Sequence, residues 1–333
     1  MNKISIILIV GLLCSTVVSA GTLNLLEVLK SSNVSIDYKA LDAGEIIYTS
    51  RKDLETTDTS IAVVMGLYVK GSYKNVLADF KAQNNQLSSY SEAIVVEIKD
   101  LKNVGPSFDA VKFAESEKDE IQKLVKYDGG EEFNFSHEEI DSLKNLTKIE
   151  ELTSQKSSDF FRKLLETRTE EYLKEGVSGI TSYKHADKDT TVQNDIKTSS
   201  LHFTVLKSHF PKLYKDYLHY PDVTSDIYEQ RFYWLKDKIE GRVTFTLKHQ
   251  MIEEKDHFFL ILERQFYISN GLDTLQTQIL CLPYKEGTFI ALSSQSFTPK
   301  VSGFARRISV RVGRHIMSEN IRPMFETLQK KYN

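Results

Sequence analysis

The chain has 333 residues, with 43 basic and 46 acidic side chains and a formal net charge of −3. This length is ample for one large domain or two ordinary ones. With only two cysteines, the composition excludes a disulfide-rich scaffold.

Residues 1–20 have the pattern of a secretory signal peptide. Lys3 supplies a basic start, residues 4–13 form an apolar run, and the tripeptide at 18–20 is a small-residue cleavage site. The run is shorter than the roughly 20 residues that span a bilayer, although an uncleaved anchor is the alternative. We predict a soluble, exported chain. Because cleavage would leave Cys281 without a disulfide partner, a bacterial periplasmic location is favoured over an animal extracellular one.

The first part of the predicted domain mixes short strands with one helix. Alternating and β-branched residues predict three strands, at 44–50, 61–70 and 93–98. Residues 72–80 follow the second strand and place their apolar side chains on one helical face. Residues 108–127 fit a hairpin with a charged turn, and 115–126 alternatively fit a helix.

Residues 100–225 are predicted to be mainly helical. Three helical segments are expected, at 136–152, 158–176 and 201–219. Ser136 and Glu139 have the spacing of a capping box at the start of the first segment. Pro211 divides the third segment because proline cannot continue a helix. Residues 183–200 are polar, which predicts an exposed loop.

A meander of antiparallel strands is predicted next, followed by one long helix. Period-two alternation indicates five strands, at 228–235, 243–251, 258–268, 275–282 and 288–297. The helix covers 302–331, and its apolar stripe runs through Phe304, Ile308, Val312 and Ile316 to Leu328. Pro323 predicts a kink or a break near residue 320.

The order of these elements resembles the helix-grip fold of the START-related superfamily of hydrophobic-ligand binders and polyketide cyclases. Residues 68–80 resemble the family's opening strand and helix, and residues 285–288 with the basic final helix resemble its close. The likeness covers 61–98 and 226–331. The predicted fold class is therefore α+β, a curved antiparallel sheet wrapped around the long C-terminal helix, with a helical insertion at 100–225 in a single domain spanning 21–333.

The resemblance implies a cavity between the sheet and the last helix, but no catalytic residue, because the superfamily shares no universal catalytic motif. The sequence shows neither metal-ligand spacing among its eight histidines nor a glycine-rich phosphate loop. We therefore predict no metal and no cofactor. The export signal argues against nucleic acid as a partner.

Arg264 and His249 are the polar candidates for ligand binding because each lies between apolar residues on one face of a strand. The alternatives for Arg264 are an ion pair with a protein acid such as Glu229 or Glu263 and a position at the exposed end of the strand. The alternative for His249 is a hydrogen-bonded core residue. The full predicted set is Arg264, His249, Tyr228, Trp234, Phe245, Phe266, Ile308 and Val312.

The predicted function is the binding or carrying of a hydrophobic or amphiphilic small molecule, such as a lipid, in an internal cavity. The alternatives are a cyclase- or hydrolase-type enzyme, using His249 with Tyr228 or Arg264, and a secreted surface-interaction protein. Residues 299–333 contain eight Lys or Arg and two Glu. Their arginines, among them Arg307, Arg311 and Arg314, fit either a solvated face or contact with an anionic membrane surface.

Overall fold

The computed structural model describes residues 28, 36–82, 93–149, 151–185, 188–224, 226, 228–255, 258–303 and 306–333. The predicted signal peptide at 1–20 and Phe304 lie outside the described residues. The described helices are α1 (Tyr38–Asp42), α2 (Tyr73–Ala82), α3 (Lys118–Lys126), α4 (His137–Ile149), α5 (Ser154–Glu175), α6 (Val192–Leu201), α7 (Thr204–His209), α8 (Pro211–His219) and α9 (Arg306–Tyr332).

The fold is α+β and is built on one large, curved antiparallel sheet. The described strands are β1 (Ile47–Ser50), β2 (Ser60–Val69), β3 (Ile94–Glu97), β4 (Tyr183–His185), β5 (Lys188–Thr190), β6 (Glu229–Ile239), β7 (Arg242–Lys255), β8 (Phe258–Ile268), β9 (Thr274–Tyr284) and β10 (Gly287–Phe297). Eight of them form the sheet in the order β1-β2-β10-β9-β8-β7-β6-β3, and β4 pairs with β5 separately. The predicted meander is confirmed. Glu240 and Gly241, both with positive φ, make the two-residue turn between β6 and β7.

Helices cover both faces of the sheet. Alternate residues of β8 and β9 point to opposite sides, as the pleat requires. Leu260, Leu262 and Leu280 belong to the core shared with α3–α8, which we call the insertion face. Phe259, Ile261 and Ile279 belong to the core shared with α2 and α9, which we call the terminal-helix face. The helical section thus packs on the sheet face opposite the last helix.

The helical section confirms two predictions and overturns two others. The capping box is present: Glu139 Oε2 accepts from the Ser136 amide at 2.7 Å, and Ser136 Oγ accepts from the Glu139 amide at 3.2 Å. The alternative helix at 115–126 is confirmed, because this charged segment forms a 3-10 turn and α3, and the hairpin predicted at 108–127 is wrong. The exposed loop predicted at 183–200 is also wrong. It contains β4, β5 and α6, and Tyr183 is fully buried.

The last helix lies on the terminal-helix face and packs mainly against β2. Phe325 and Leu328 are fully buried against the sheet, and Val310 packs with Ile61 nearer the helix start. Gly313 permits this approach, because a Cβ atom there would overlap the Ile61 side chain. The helix continues through Pro323, so the predicted break does not occur.

Candidate ligand-binding cleft

A cleft opens on the insertion face, above the sheet edge formed by β1, β2, β10, β9 and β8. The empty space in the cleft, including open solvent at its mouth, is about 850 Å³. Residues 202–205, which comprise the α6–α7 junction and the start of α7, form the opposite wall. Val28, Ile36, Arg51 and Leu54 close the sides.

Two rows of side chains form the floor of the cleft. Cross-strand pairing aligns the first row over five strands: Ile47, Gly66, Ala291, Leu280 and Leu260. The second row lies two residues further along the strands: Thr49, Val64, Ser293 and Gln278. The first row is apolar, whereas three members of the second carry polar side chains.

Two small residues lie at the centre of the apolar row. Gly66 has no side chain, and a Cβ atom at this position would meet the Phe289 ring at 3.1 Å. Ala291, its partner on β10, contributes one methyl group. Glycine weakens a strand interior, so its occurrence there often marks a close approach or a space that a side chain would fill. Here it gives room to the Phe289 ring, which also lines the cleft.

The polar row has unused hydrogen-bonding capacity. Thr49, Ser293 and Gln278 are half-buried, and none of the three side chains makes a hydrogen bond with another described residue. Half-buried hydroxyl and amide groups of this kind are available to a ligand or to water. An apolar row beside a polar row gives the cleft an amphiphilic floor.

The mouth of the cleft carries charge. Arg51 Nε donates to Asp53 Oδ1 at 2.7 Å, and a second guanidinium nitrogen contacts the other carboxylate oxygen. These hydrogen bonds hold the pKa of Asp53 below its usual value. His202 also lines the cleft. The opening therefore combines a guanidinium, a carboxylate and an imidazole, while the floor is largely apolar.

The predicted site residues lie elsewhere: none of the eight is among the described residues that line this cleft. Six of them pack in the interior of the insertion face. Trp234 donates its indole N–H to the Ser107 carbonyl at 2.6 Å, and the Phe245 and Phe161 ring centroids are 4.8 Å apart. Phe266 stacks on Tyr172 with 3.9 Å between centroids. These contacts identify plain core packing.

Arg264 is fully buried and has neutral partners. Its Nη1 donates to the Tyr172 hydroxyl at 3.0 Å, its Nη2 donates to the Tyr217 carbonyl at 2.8 Å, and the guanidinium lies 4.0 Å from the Tyr217 ring centroid. No described carboxylate pairs with it. The two proposed acids are engaged elsewhere, Glu229 with Lys81 and Arg231 and Glu263 with Lys248, so the ion-pair alternative is wrong.

The guanidinium of Arg264 begins a chain of hydrogen bonds that ends at the surface. Tyr172 accepts from Arg264 and bonds to His249 Nδ1 at 3.0 Å, while His249 Nε2 lies 3.1 Å from Gln230 Oε1. Because the amide oxygen accepts, Nε2 carries the proton and Nδ1 accepts from Tyr172. Burial, reinforced by the charge of Arg264, holds the pKa of His249 well below its usual value. The imidazole is neutral and fully hydrogen-bonded, as in the core alternative.

The tyrosines around Arg264 are protonated as well. Burial raises the pKa of Tyr217 to about 12. Burial and the Asp216 carboxylate raise the pKa of Tyr228. Tyr228 is half-buried beside this core and does not reach the cleft. The cluster proposed for catalysis is therefore a packed polar interior.

Ile308 and Val312 are not cavity residues. Their side chains are 70% and 50% exposed, because α9 turns Val310, Gly313 and Met317 toward the sheet instead. Arg314 also differs from the prediction of a solvated or membrane-facing side chain. It forms a two-point ion pair with Glu55, whose side chain is only 5% exposed. Arg307 and Arg311 are exposed, as expected.

The cleft residues were missed by sequence reasoning, although a signal was present. Gly66 interrupts the apolar run of the strand predicted at 61–70, and Gln278 and Ser293 are polar residues within the strands predicted at 275–282 and 288–297. Within the described ranges, no group of three His, Cys, Asp or Glu side chains could hold a metal ion. No helix of the described chain combines the length and apolarity needed to cross a membrane.

Comparison with known proteins adds no assignment. No protein-family model, no curated protein and no solved structure matches this chain. The geometry of the cleft is therefore the basis for a functional proposal.

Proposed function

We propose that this protein binds or carries a hydrophobic or amphiphilic small molecule, such as a lipid, in the cleft on the insertion face. The observation that carries the proposal is the paired floor: an apolar row with Gly66 and Ala291 at its centre, beside a row of unpartnered polar groups. Ligand sites are typically apolar with a few placed polar groups. The apolar row would hold a hydrocarbon body and the polar row its hydrogen-bonding end.

We also propose a helix-grip relationship for the sheet and its terminal helices, with the helical section as an insertion. Three features support it: β2 runs into α2, the meander of β6–β10 follows, and α2 and α9 pack on the same sheet face. The cleft lies on the other face, so the proposed site differs from the cavity that the START resemblance implies. Export to the periplasm, inferred from residues 1–20, belongs to the same proposal.

Filling the cleft tests the proposed function. Ala291→Leu would place a branched side chain over Gly66, in the middle of the apolar row. Each ligand methylene that loses its buried contact forfeits about 0.8 kcal/mol, so we expect affinity for an apolar fluorescent probe to fall about tenfold or more. Probe titration and native mass spectrometry of co-purified lipid would measure it.

Ala82→Leu is the matched control, because it adds the same side chain at an exposed position at the end of α2. It should leave probe affinity unchanged. Urea unfolding would confirm that both variants are folded. The proposal fails if the wild-type protein takes up no apolar probe, or if Ala291→Leu and Ala82→Leu bind the probe equally well.

A further inference from the structure

Two parallel rows of side chains run along the outward side of the first half of α9. The apolar row consists of Ile308, Val312 and Ile316, whose side chains are 70%, 50% and 42% exposed. The basic row consists of Arg307, Arg311 and His315, each one residue earlier in the chain and also exposed. Both rows repeat every four residues, so they follow one side of the helix. We call these six residues the outer patch.

No described acid neutralises the basic row. Among the described residues, no acid or hydrogen-bond acceptor engages Arg307, Arg311 or His315. The neighbouring arginines of α9 are engaged: Arg306 donates to the Thr57 carbonyl, and Arg314 pairs with Glu55. Two arginines of α9 without a described ion-pair partner thus lie beside its exposed apolar side chains.

The packing of α9 against the sheet keeps the apolar row exposed. Val310 and Gly313 lie on the opposite side of the helix and contact Ile61 of β2. Rotating the helix to bury Ile308 would pull Gly313 from this contact and break the ion pair between Arg314 and Glu55. Exposed apolar surface maintained in this way typically marks an interaction site.

We propose that the outer patch docks the protein onto an anionic lipid bilayer, with the first half of α9 lying along the membrane surface. Ile308, Val312 and Ile316 would enter the boundary between headgroups and acyl chains, while the basic row would contact lipid phosphates. Charge complementarity favours lipid over a protein partner, since no described acid compensates the charges of Arg307 and Arg311. The apolar row also lacks the aromatic residues that are enriched in protein interfaces.

This inference is independent of the proposed function, because the outer patch and the cleft share no residue. Its test is co-sedimentation with vesicles of phosphatidylcholine alone and of equimolar phosphatidylcholine and phosphatidylglycerol. We expect binding only to the anionic vesicles, and we expect salt to weaken it.

The variant Arg307→Gln/Arg311→Gln should lower the partition coefficient roughly 25-fold, from about fivefold for each arginine near a charged surface. Val312→Ser should lower it about fivefold through lost apolar insertion. The matched control is Arg322→Gln/Lys330→Gln, which removes two positive charges from α9 outside the outer patch. It should retain most of the binding, and circular dichroism would verify the fold of each variant.

Three outcomes would overturn the inference. The first is failure of the wild-type protein to bind anionic vesicles. The second is equal binding by the Arg307/Arg311 variant and the control, which would assign attraction to net charge alone. The third is self-association without vesicle binding, detected by sedimentation velocity and abolished by Val312→Ser, which would assign the outer patch to a contact between copies of the chain.

Discussion

Arg311 and Arg314 lie one turn apart on α9, and the same substitution should destabilise the protein at Arg314 but not at Arg311. Arg314 is 15% exposed, and its Nε donates to Glu55 Oε1 at 2.6 Å while Nη2 contacts the other carboxylate oxygen. Arg311 is exposed, with no ion-pair partner among the described residues. Replacing each with glutamine compares an arginine that forms a buried ion pair with one that has no ion-pair partner among the described residues.

The expected difference follows from the burial of Glu55, which is 5% exposed. Without Arg314, its carboxylate would keep only the hydrogen bond from the Ala62 amide, at 3.3 Å. Removing one partner of a buried ion pair costs about 3–5 kcal/mol. Because water reaches part of Arg314, we expect Arg314→Gln to lower the free energy of unfolding by about 3 kcal/mol. Arg311→Gln should stay within about 0.5 kcal/mol of the wild type.

Urea unfolding followed by circular dichroism would measure both free energies. The double variant Glu55→Gln/Arg314→Gln should recover a large part of the loss, since no buried charge is then left unpaired. Equal unfolding free energies for Arg311→Gln and Arg314→Gln would refute the reasoning. An unrecovered loss in the double variant would show that the Arg314 side chain stabilises α9 by packing instead.

Two further predictions concern burial. Burial, followed by the nearby Asp195 and Glu131 charges, raises the pKa of Asp273 from 3.8 to about 8. Between these values the native state holds a proton that the unfolded state releases, so stability should fall as pH rises across that interval. Asp273→Asn should remove most of this slope in urea unfolding, and an unchanged slope would contradict the assignment. Phe325→Ala should cost about 3–5 kcal/mol, because it empties a fully buried site. Ile308→Ser should be nearly neutral, and equal losses in thermal unfolding would mean that α9 is oriented differently.

Arg264 shows why a residue pattern alone did not identify a binding site. Its position between apolar side chains correctly indicated a buried guanidinium, and burial requires compensating contacts. The compensation comes from Tyr172 and from the Tyr217 carbonyl, supplied by α5 and α8. Because these helices are far from β8 in the sequence, the identity of the partners could not be inferred from the pattern around Arg264.

Local patterns by themselves determined most of the secondary structure. Alternation predicted the meander because successive side chains of a strand point to opposite faces of the sheet. The capping box of Ser136 and Glu139 is confirmed because it depends on residues three apart. The loop predicted at 183–200 was wrong because the structure of this segment depends on contacts with residues distant in the sequence. Its polar residues are buried by tertiary partners, as when His185 bonds to Asn134 at 2.9 Å.

The tertiary structure alone decided which faces meet. The helix that carries Ile308 and Val312 is amphipathic, but periodicity does not say which side of a helix packs. Contact between Gly313 and Ile61 and the pairing of Arg314 with Glu55 set the rotation of α9. The cleft likewise depends on Gly66 and Ala291 becoming neighbours across strands more than 200 residues apart. Such proximity arises only when the sheet assembles.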